Sequence, residues 1–430
     1  MSDVASLSCV LVGESNLLVR CAETLTGRGH RVAAVVTAES TMVHPGSVHR
    51  SLAEAMAALA CPPDVIFSIV NRAILTPDEI AFAKLAAINY HDSPLPAYAG
   101  VNAPSWAILH GESSHGVTWH RIGRGIDDGE ILVQRRFAVD TDETALSLSM
   151  KCFEHALATF DEVLDILEKG DVRGTPQNPA QRTFFGRSRR LPRQGIIRWT
   201  DTAAEICRFV RAGHFGPYAN DFGVPKVLLP DGSLAVVTQA VILPTPTSGP
   251  SGTIVDVDPR SMRVVAGDGV VLNVQGMVRT DGRGFEVPGS MRGARLPLLP
   301  SATEAEIESA TVRAAATEDI VRASLHDLPA PVRPRGLRPC KYPDADEHVF
   351  ERAAAHGKSP GQVFAPILAR LAIFNGVAEF TVGIVTTAPP AFMTSINFVT
   401  SSFVVRSLIP GRKWAIPKYG VTSPTDLSIR

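Results

Sequence analysis

Residues 87–96 read Ala-Ile-Asn-Tyr-His-Asp-Ser-Pro-Leu-Pro. The stretch begins apolar and ends in a turn. Asn89 and His91 stand two apart, so on a strand they project from the same face. Pro94 and Pro96 lack the amide protons that further strand pairing needs. An amide and a titratable imidazole are therefore expected together at the end of a stiff strand. In open α/β sheets, ligands bind at the carboxyl ends of strands. Read alone, the same residues also fit an ordinary polar loop carrying a surface histidine.

The preceding residues give that strand a context. Ser8 to Gly13 (SCVLVG) reads as a buried strand, NLLVRCAETLTGRG as a helix ending in glycines, and Arg31 to Thr37 (RVAAVVT) as a second buried strand. Strand, helix and strand in this span make a βαβ unit. The intervening turn, Gly-Glu-Ser, lacks GxGxxG, so no dinucleotide fingerprint is present. Segment 38–50 reads as a polar loop and Leu52 to Leu59 as a short helix. Asp64 to Val70 (DVIFSIV) reads as a third buried strand, and Thr76-Pro77-Asp78-Glu79 as a helix start. The alternation predicts an α/β fold with a doubly wound, mostly parallel, Rossmann-like sheet.

Downstream, Ala103 to Leu109 reads as a short helix and His115 to Ile122 as a strand, with Val117, Trp119 and Arg121 on one face and Thr118, His120 and Ile122 on the other. His115, near a turn, is expected at the surface. Trp106 and Trp119 are expected to pack rather than stack on a ligand. GRGIDDG at 123–129 is a glycine-rich loop, Ile131 to Val139 a strand, and Thr144 to Glu168 a long amphipathic helix stopped at Gly170. The basic connector at 174–195 suggests a domain boundary, with Arg187, Arg189, Arg190 and Arg193 on a solvated face. Short strands across 196–295 suggest a small, OB-like β-barrel. The expected division is a catalytic domain at 1–185, a barrel at 186–298, a linker at 299–345 and an α+β extension at 346–430. Helices are expected near 346–356 and 362–375, and residues 410–430 are expected to be poorly tied down.

Charged residues are 20% of the chain, apolar residues 45%, and the net charge is -1, so no overall basic field favours nucleic acid or an anionic membrane. The six cysteines are scattered without a CxxC pair, which argues for a reducing compartment and against a zinc ribbon or disulfide framework. No metal site is expected. No basic segment precedes the first apolar run and no run approaches membrane-spanning length, so a cytoplasmic protein is expected.

Asn89, His91 and loop residue Asp127 form a candidate catalytic set, expected at one sheet edge. An amine attacking a carbonyl-level carbon builds an oxyanion and must lose a proton. Asn89 can donate to the oxyanion, His91 can take the proton, and Asp127 can orient the imidazole. Chemistry alone leaves Asp92 and Asp128 open as partners for His91.

Residues 89–134, from NYHDSPLPAYAG through GVTWHRIGRGIDDGEILVQ, resemble the core of the folate-dependent formyltransferases. That family shows Asn-x-His followed by a Gly-Val-Thr strand and an Asp-x-Gly loop, matching Asn89, His91 and Asp127. The resemblance implies transfer of the formyl group of 10-formyltetrahydrofolate to an amine. It also implies a pterin site between Phe67, Ile69, Val70, Asn71 and Leu75 on one side and Gly125, Ile126 and Asp128 on the other. Ser93, Pro94, Leu95 and His120 are the candidate acceptor contacts, although Ser93 also suits a turn cap and His120 faces either the site or the core. Pro94 stands where the family has Leu, and Ala99 where it has Arg. Segment 38–50 lacks the basic insertion of the methionyl-tRNA branch, and the neutral net charge makes that acceptor unexpected.

Residues 196–295 resemble the barrel of the tRNA enzyme. The tail resembles a piece of a peptide-synthetase condensation domain without HHxxxDG. The favoured acceptor is a small or carrier-protein-bound aminoacyl amine in natural-product assembly, with a peptide-synthetase partner reached through the C-terminal region. The competing readings are a hydrolase releasing formate, an acyltransferase using a coenzyme A thioester, the tRNA enzyme itself, and a non-catalytic docking module.

Overall fold

The computed structural model describes residues 6–37, 45–170, 172–218, 220–246, 249–280, 282–326, 379–385 and 400–406. It divides into two units, Met1–Arg313 and Ala314–Arg430. The first opens β1 (Ser8–Gly13), α1 (Asn16–Gly27), β2 (Arg31–Val36), β3 (Ser47–His49), α2 (Leu52–Ala58), β4 (Val65–Ile69), α3 (Pro77–Ala81) and β5 (Ala86–His91). Valine, isoleucine and leucine run along β1, β2 and β4 because helices cover both sheet faces, which parallel pairing requires. The start of α3 carries a full capping box between Thr76 and Glu79 with Pro77 at its first turn.

The chain continues through β6 (Ala99–Gly100), α4 (Ala103–His110), β7 (Ser114–Arg121), β8 (Ile131–Ala138), α5 (Ala145–Glu168) and β9 (Phe184–Phe185). The main sheet has the order β3-β2-β1-β4-β5-β7-β8. Strands β1 to β5 are parallel, whereas β7 pairs antiparallel with both β5 and β8. The edge strand β3 lies within the segment read as a loop. Ser47 and His49 flank a single valine, too short a run to carry a hydrophobic pattern, and their strand form comes from pairing with β2.

One sheet face packs on α1 and α5 through Leu11, Phe67, Ile88, Trp119 and Phe160. The other packs Val10, Val12, Ile66 and Ala87 against Leu52 and Ala55 of α2, with Ile80 of α3 alongside. Ala87 belongs to this second face, so Asn89 and His91, two and four residues further on, belong to it as well. Both tryptophans are buried as expected, Trp119 donating to the Thr159 hydroxyl at 3.1 Å.

The rest of this unit comprises α6 (Ala203–Ala212), β10 (Lys226–Leu228), β11 (Leu234–Val236), β12 (Gln239–Pro246), β13 (Ile254–Asp258), β14 (Ser261–Val265), β15 (Val270–Gln275), β16 (Val278–Arg279) and the beginning of α7 (Ser301–His326). These strands form two antiparallel sheets, β10-β11-β16 and β12-β15-β14-β13. A single hydrophobic cluster joins Tyr98, Trp106 and Phe185 to Trp199, Phe209, Val227 and Met262. The expected boundary near residue 185 is therefore a continuous core. Arg193, expected on a solvated face, is buried, its Nε donating to the Ile196 carbonyl and its guanidinium lying over Phe209. The first half of the expected linker is the start of α7, which buries Ile307 and Thr311.

In the second unit, β17 (Glu379–Val385) and β18 (Thr400–Arg406) pair antiparallel. The expected helices at 346–356 and 362–375 and the tail 410–430 lie outside the described residues. No helix among the described residues is long and apolar enough to cross a membrane.

Candidate active site

Strand β5 places Asn89 opposite His120 and His91 opposite Thr118 on β7. His120 therefore belongs to the same face as Asn89 and His91, resolving the choice between site and core in favour of the site. Its Nδ1 lies 2.8 Å from the Arg121 carbonyl, which can only accept, so Nδ1 carries the proton. In the neutral ring Nε2 is then an acceptor. Asn89 Nδ2 sits 3.2 Å from it and donates. This contact fixes which end of the Asn89 amide is nitrogen and leaves its second N–H available to a ligand.

His91 is fixed by the same device. Its Nε2 donates to the Tyr98 carbonyl at 2.9 Å, leaving Nδ1 as the free lone pair. Nδ1 lies 3.8 Å from Asp127 Oδ2 and 3.8 Å from Asp92 Oδ1. The expected orienting bond from Asp127 is therefore absent: Tyr98 orients the ring, and Asp127 faces the nitrogen that would receive a proton. Asp128, the third open possibility, turns into its own loop and accepts from the Gly125 amide at 2.9 Å.

Asp127 does not arrive from the same sheet edge. Because β7 runs antiparallel to β5, its outgoing loop leaves at the opposite end and folds back across the sheet face. Helix α4 packs into the cluster around Trp106 rather than forming a crossover on the sheet. Asp127 has a left-handed backbone, φ 50°. Its Oδ2 accepts from the Gly100 amide at 2.8 Å and its Oδ1 lies 3.6 Å from His120 Nε2. Burial raises the pKa of this carboxyl, but attraction to the His91 and His120 rings in their protonated forms and the hydrogen bond from the Gly100 amide prevail and bring it down to about 2. Gly100 sits at φ 105°, and a Cβ there would stand 2.1 Å from the Phe185 carbonyl oxygen, so the donor to Asp127 must be glycine.

Tyr98 was not a sequence candidate. It also has a left-handed backbone, φ 61°. Its ring stacks on Phe185 with centroids 5.5 Å apart, Phe185 stacks on Trp106 at 4.6 Å, and the Tyr98 hydroxyl donates to Glu112 at 2.7 Å. The Tyr98 amide donates to Thr183 Oγ1 at 2.7 Å. His115, expected at the surface, is buried, and its Nε2 donates to the Asp92 carbonyl at 2.8 Å. Burial lowers the pKa of that imidazole.

The proposed acceptor contacts Ser93, Pro94 and Leu95 are buried in the turn itself. Ser93 Oγ donates to the Ala97 carbonyl at 2.8 Å, and the Leu95 amide donates to Thr118 Oγ1 at 3.2 Å. Ser93 is thus the turn cap of the two roles open to it. Of the pterin candidates, Phe67 and Ile69 point into the sheet core. Asn71 caps its own turn, both exchanging bonds with Ala73, and Leu75 packs near α2 and α3. Val70, Ile74 and Ile126, all within the two expected stretches 67–75 and 124–128, leave apolar side chains exposed.

A hydrogen-bond donor, an imidazole whose Nδ1 makes no hydrogen bond and a half-buried carboxylate thus converge on one sheet face. This set suits addition of a nucleophile to a carbonyl-level carbon with removal of its proton. Residues 21–164 match the family model described as formyl transferase, and this region is a formyl transferase domain.

Similar solved structures include WlaRD, a sugar 3N-formyl transferase solved with dTDP and 5-N-formyl-THF (18% identity, 63% of this chain and 97% of that one, TM-score 0.49). Another is the N-formyltransferase of Helicobacter canadensis with folinic acid and dTDP-3-aminofucose (19% identity, 63% and 99%, TM-score 0.49). A third is HypX of Aquifex aeolicus with tetrahydrofolic acid (22% identity, 66% and 46%, TM-score 0.47).

Proposed function

We propose that this chain is an N-formyltransferase that moves the formyl group of 10-formyltetrahydrofolate to a primary amine. The observation that carries the reading is the convergence of the Asn89 amide, His91 Nδ1 and the Asp127 carboxylate on one face. The amine nitrogen bonds to the formyl carbon as the C=O electrons move onto oxygen. The free N–H of Asn89 holds that oxyanion. His91 Nδ1 takes the ammonium proton, and Asp127 stabilises the resulting positive charge. Two unit charges about 4 Å apart attract by roughly 4 kcal/mol at an effective dielectric constant of ~20, enough to favour the ion pair. Collapse of the intermediate breaks the bond to folate N10, which recovers the proton. The pterin would rest against Val70, Ile74 and Ile126.

The finer reading is an aminoacyl amine acceptor, small or carrier-bound, in specialised metabolism in the cytoplasm, with the C-terminal region meeting a peptide-synthetase partner. Under it, the strands of β10 to β16 are the OB-like barrel. The test is incubation with 10-formyltetrahydrofolate and a panel of free and carrier-bound aminoacyl amines, followed by mass spectrometry. An acceptor gaining one formyl group supports the reading. Transfer from a coenzyme A thioester alone would overturn the donor assignment, and formate release without transfer would point to a hydrolase.

A further inference from the structure

The segment after α5 does more than connect. Thr175 exchanges both backbone hydrogen bonds with Ile131, at 2.8 and 2.9 Å, and Phe184–Phe185 pairs with Ala99–Gly100. Between these anchors two side chains reach the loop that carries Asp127. Gln177 Nε2 donates to the Asp127 carbonyl at 3.0 Å and to the Gly129 carbonyl at 2.8 Å. Arg182 donates from Nη1 to the Asp127 carbonyl at 3.1 Å and from Nη2 to the Ile126 carbonyl at 2.7 Å. Its guanidinium lies over the Phe184 ring, 5.6 Å from the centroid.

We propose that Gln177 and Arg182 are positioning residues that clamp the loop carbonyls of residues 126, 127 and 129 and so hold the Asp127 carboxylate against His91, His120 and the Gly100 amide. The physical need is specific. A non-glycine residue at φ 50° is held there only when its surroundings over-determine it. Hairpin loops also tend to point outward into water, whereas this one lies back over a sheet face. Two donors on the Asp127 carbonyl, with one more on each side, fix the peptide planes that set the carboxylate's direction. Arg182 also adds positive charge at the loop backbone, and its fork spans adjacent carbonyls as a lysine cannot.

The proposal rests on the catalytic reading of Asp127, so its test has one arm that needs no turnover. Ring signals of His91 and His120 in two-dimensional NMR spectra of the ligand-free chain report the nearby carboxylate. Gln177→Leu and Arg182→Ala should move those signals in the direction that Asp127→Asn moves them, and should move them no further in an Asp127→Asn background. In the formyl-transfer assay, each should lower kcat about tenfold in the wild-type background, with donor KM within about twofold, and by less than twofold in the Asp127→Asn background. Arg182→Lys should recover at most part of the loss, and it serves as the second variant should Arg182→Ala fail to fold. Unmoved ring signals in folded variants, or equal losses in both backgrounds, would overturn the clamp. A silent wild-type enzyme whose ring signals still follow the predicted cycle would instead refute the formyl-transfer reading alone.

Discussion

The imidazole of His91 is held by a main-chain atom of Tyr98: Nε2 donates to the Tyr98 carbonyl at 2.9 Å, and Tyr98 itself occupies the left-handed region at φ 61°. The tautomer of the candidate base thus depends on how firmly Tyr98 is packed. Tyr98→Phe keeps the carbonyl and the stack and loses only the hydroxyl's bonds to Glu112 and His110. It should leave kcat within about twofold and cost about 1 kcal/mol in urea unfolding. Phe185→Ala removes the ring stacked on Tyr98 and should cost about 3 kcal/mol while lowering kcat roughly tenfold.

His91→Ala removes the proton acceptor. Formyl transfer should fall by about 10²–10⁴-fold, the range for a general base, while the circular dichroism spectrum stays native. Unchanged turnover in a folded variant would rule out the assigned base.

Asp127 predicts a particular pH behaviour. Its carboxyl is held at about 2, below its ordinary value of 3.8. A group depressed in the folded state stabilises the fold above its unfolded pKa and loses that contribution as pH falls through the folded pKa. The stability difference between wild type and Asp127→Asn should therefore be full at neutral pH, at most about 2 kcal/mol. It should shrink between about pH 4 and pH 2. Denaturant midpoints across that range measure it. Because Asp127 stays ionised above pH 4, it should contribute no limb to the rate profile there.

His120→Phe removes the acceptor that fixes the Asn89 amide. With either end of the amide free to face the oxyanion, kcat should drop about tenfold, and donor KM should change less than kcat. His120→Gln offers a replacement acceptor and should recover part of the rate, a rescue that packing alone would not produce.

Gly100→Ala places a methyl group against the Phe185 carbonyl oxygen at a φ that side chains avoid. We expect a loss of about 3 kcal/mol in thermal or denaturant unfolding. Activity should fall with it, because the same amide donates to Asp127.

The hydrophobic runs of β1, β2, β4 and β5 made the sheet legible, and the two-residue spacing of Asn89 and His91 correctly put both on one face. What escaped was set by tertiary contacts. Strand β7 follows a helix, as a parallel strand would, yet it returns antiparallel because α4 packs into the cluster around Trp106. The same sheet edge expected for Asp127 therefore does not hold, and its loop reaches His91 from the opposite end. Segment 174–185 looked like a linker because Gln177 and Arg182 act through hydrogen bonds to carbonyls, which no periodicity announces. His115 and Arg193 looked like surface residues for a related reason: each donates to a backbone oxygen that composition cannot reveal.

Three histidines of the paired strands β5 and β7, His91, His115 and His120, each donate to a main-chain oxygen, those of Tyr98, Asp92 and Arg121. Every amino acid offers that oxygen. The positions that set the tautomers can therefore drift in sequence while the protonation pattern persists, provided the backbone path is kept. A search that scores side-chain identity would overlook this half of the machinery. A library randomised at position 121 should be rich in active clones, whereas single-residue insertions in the same strand should yield almost none.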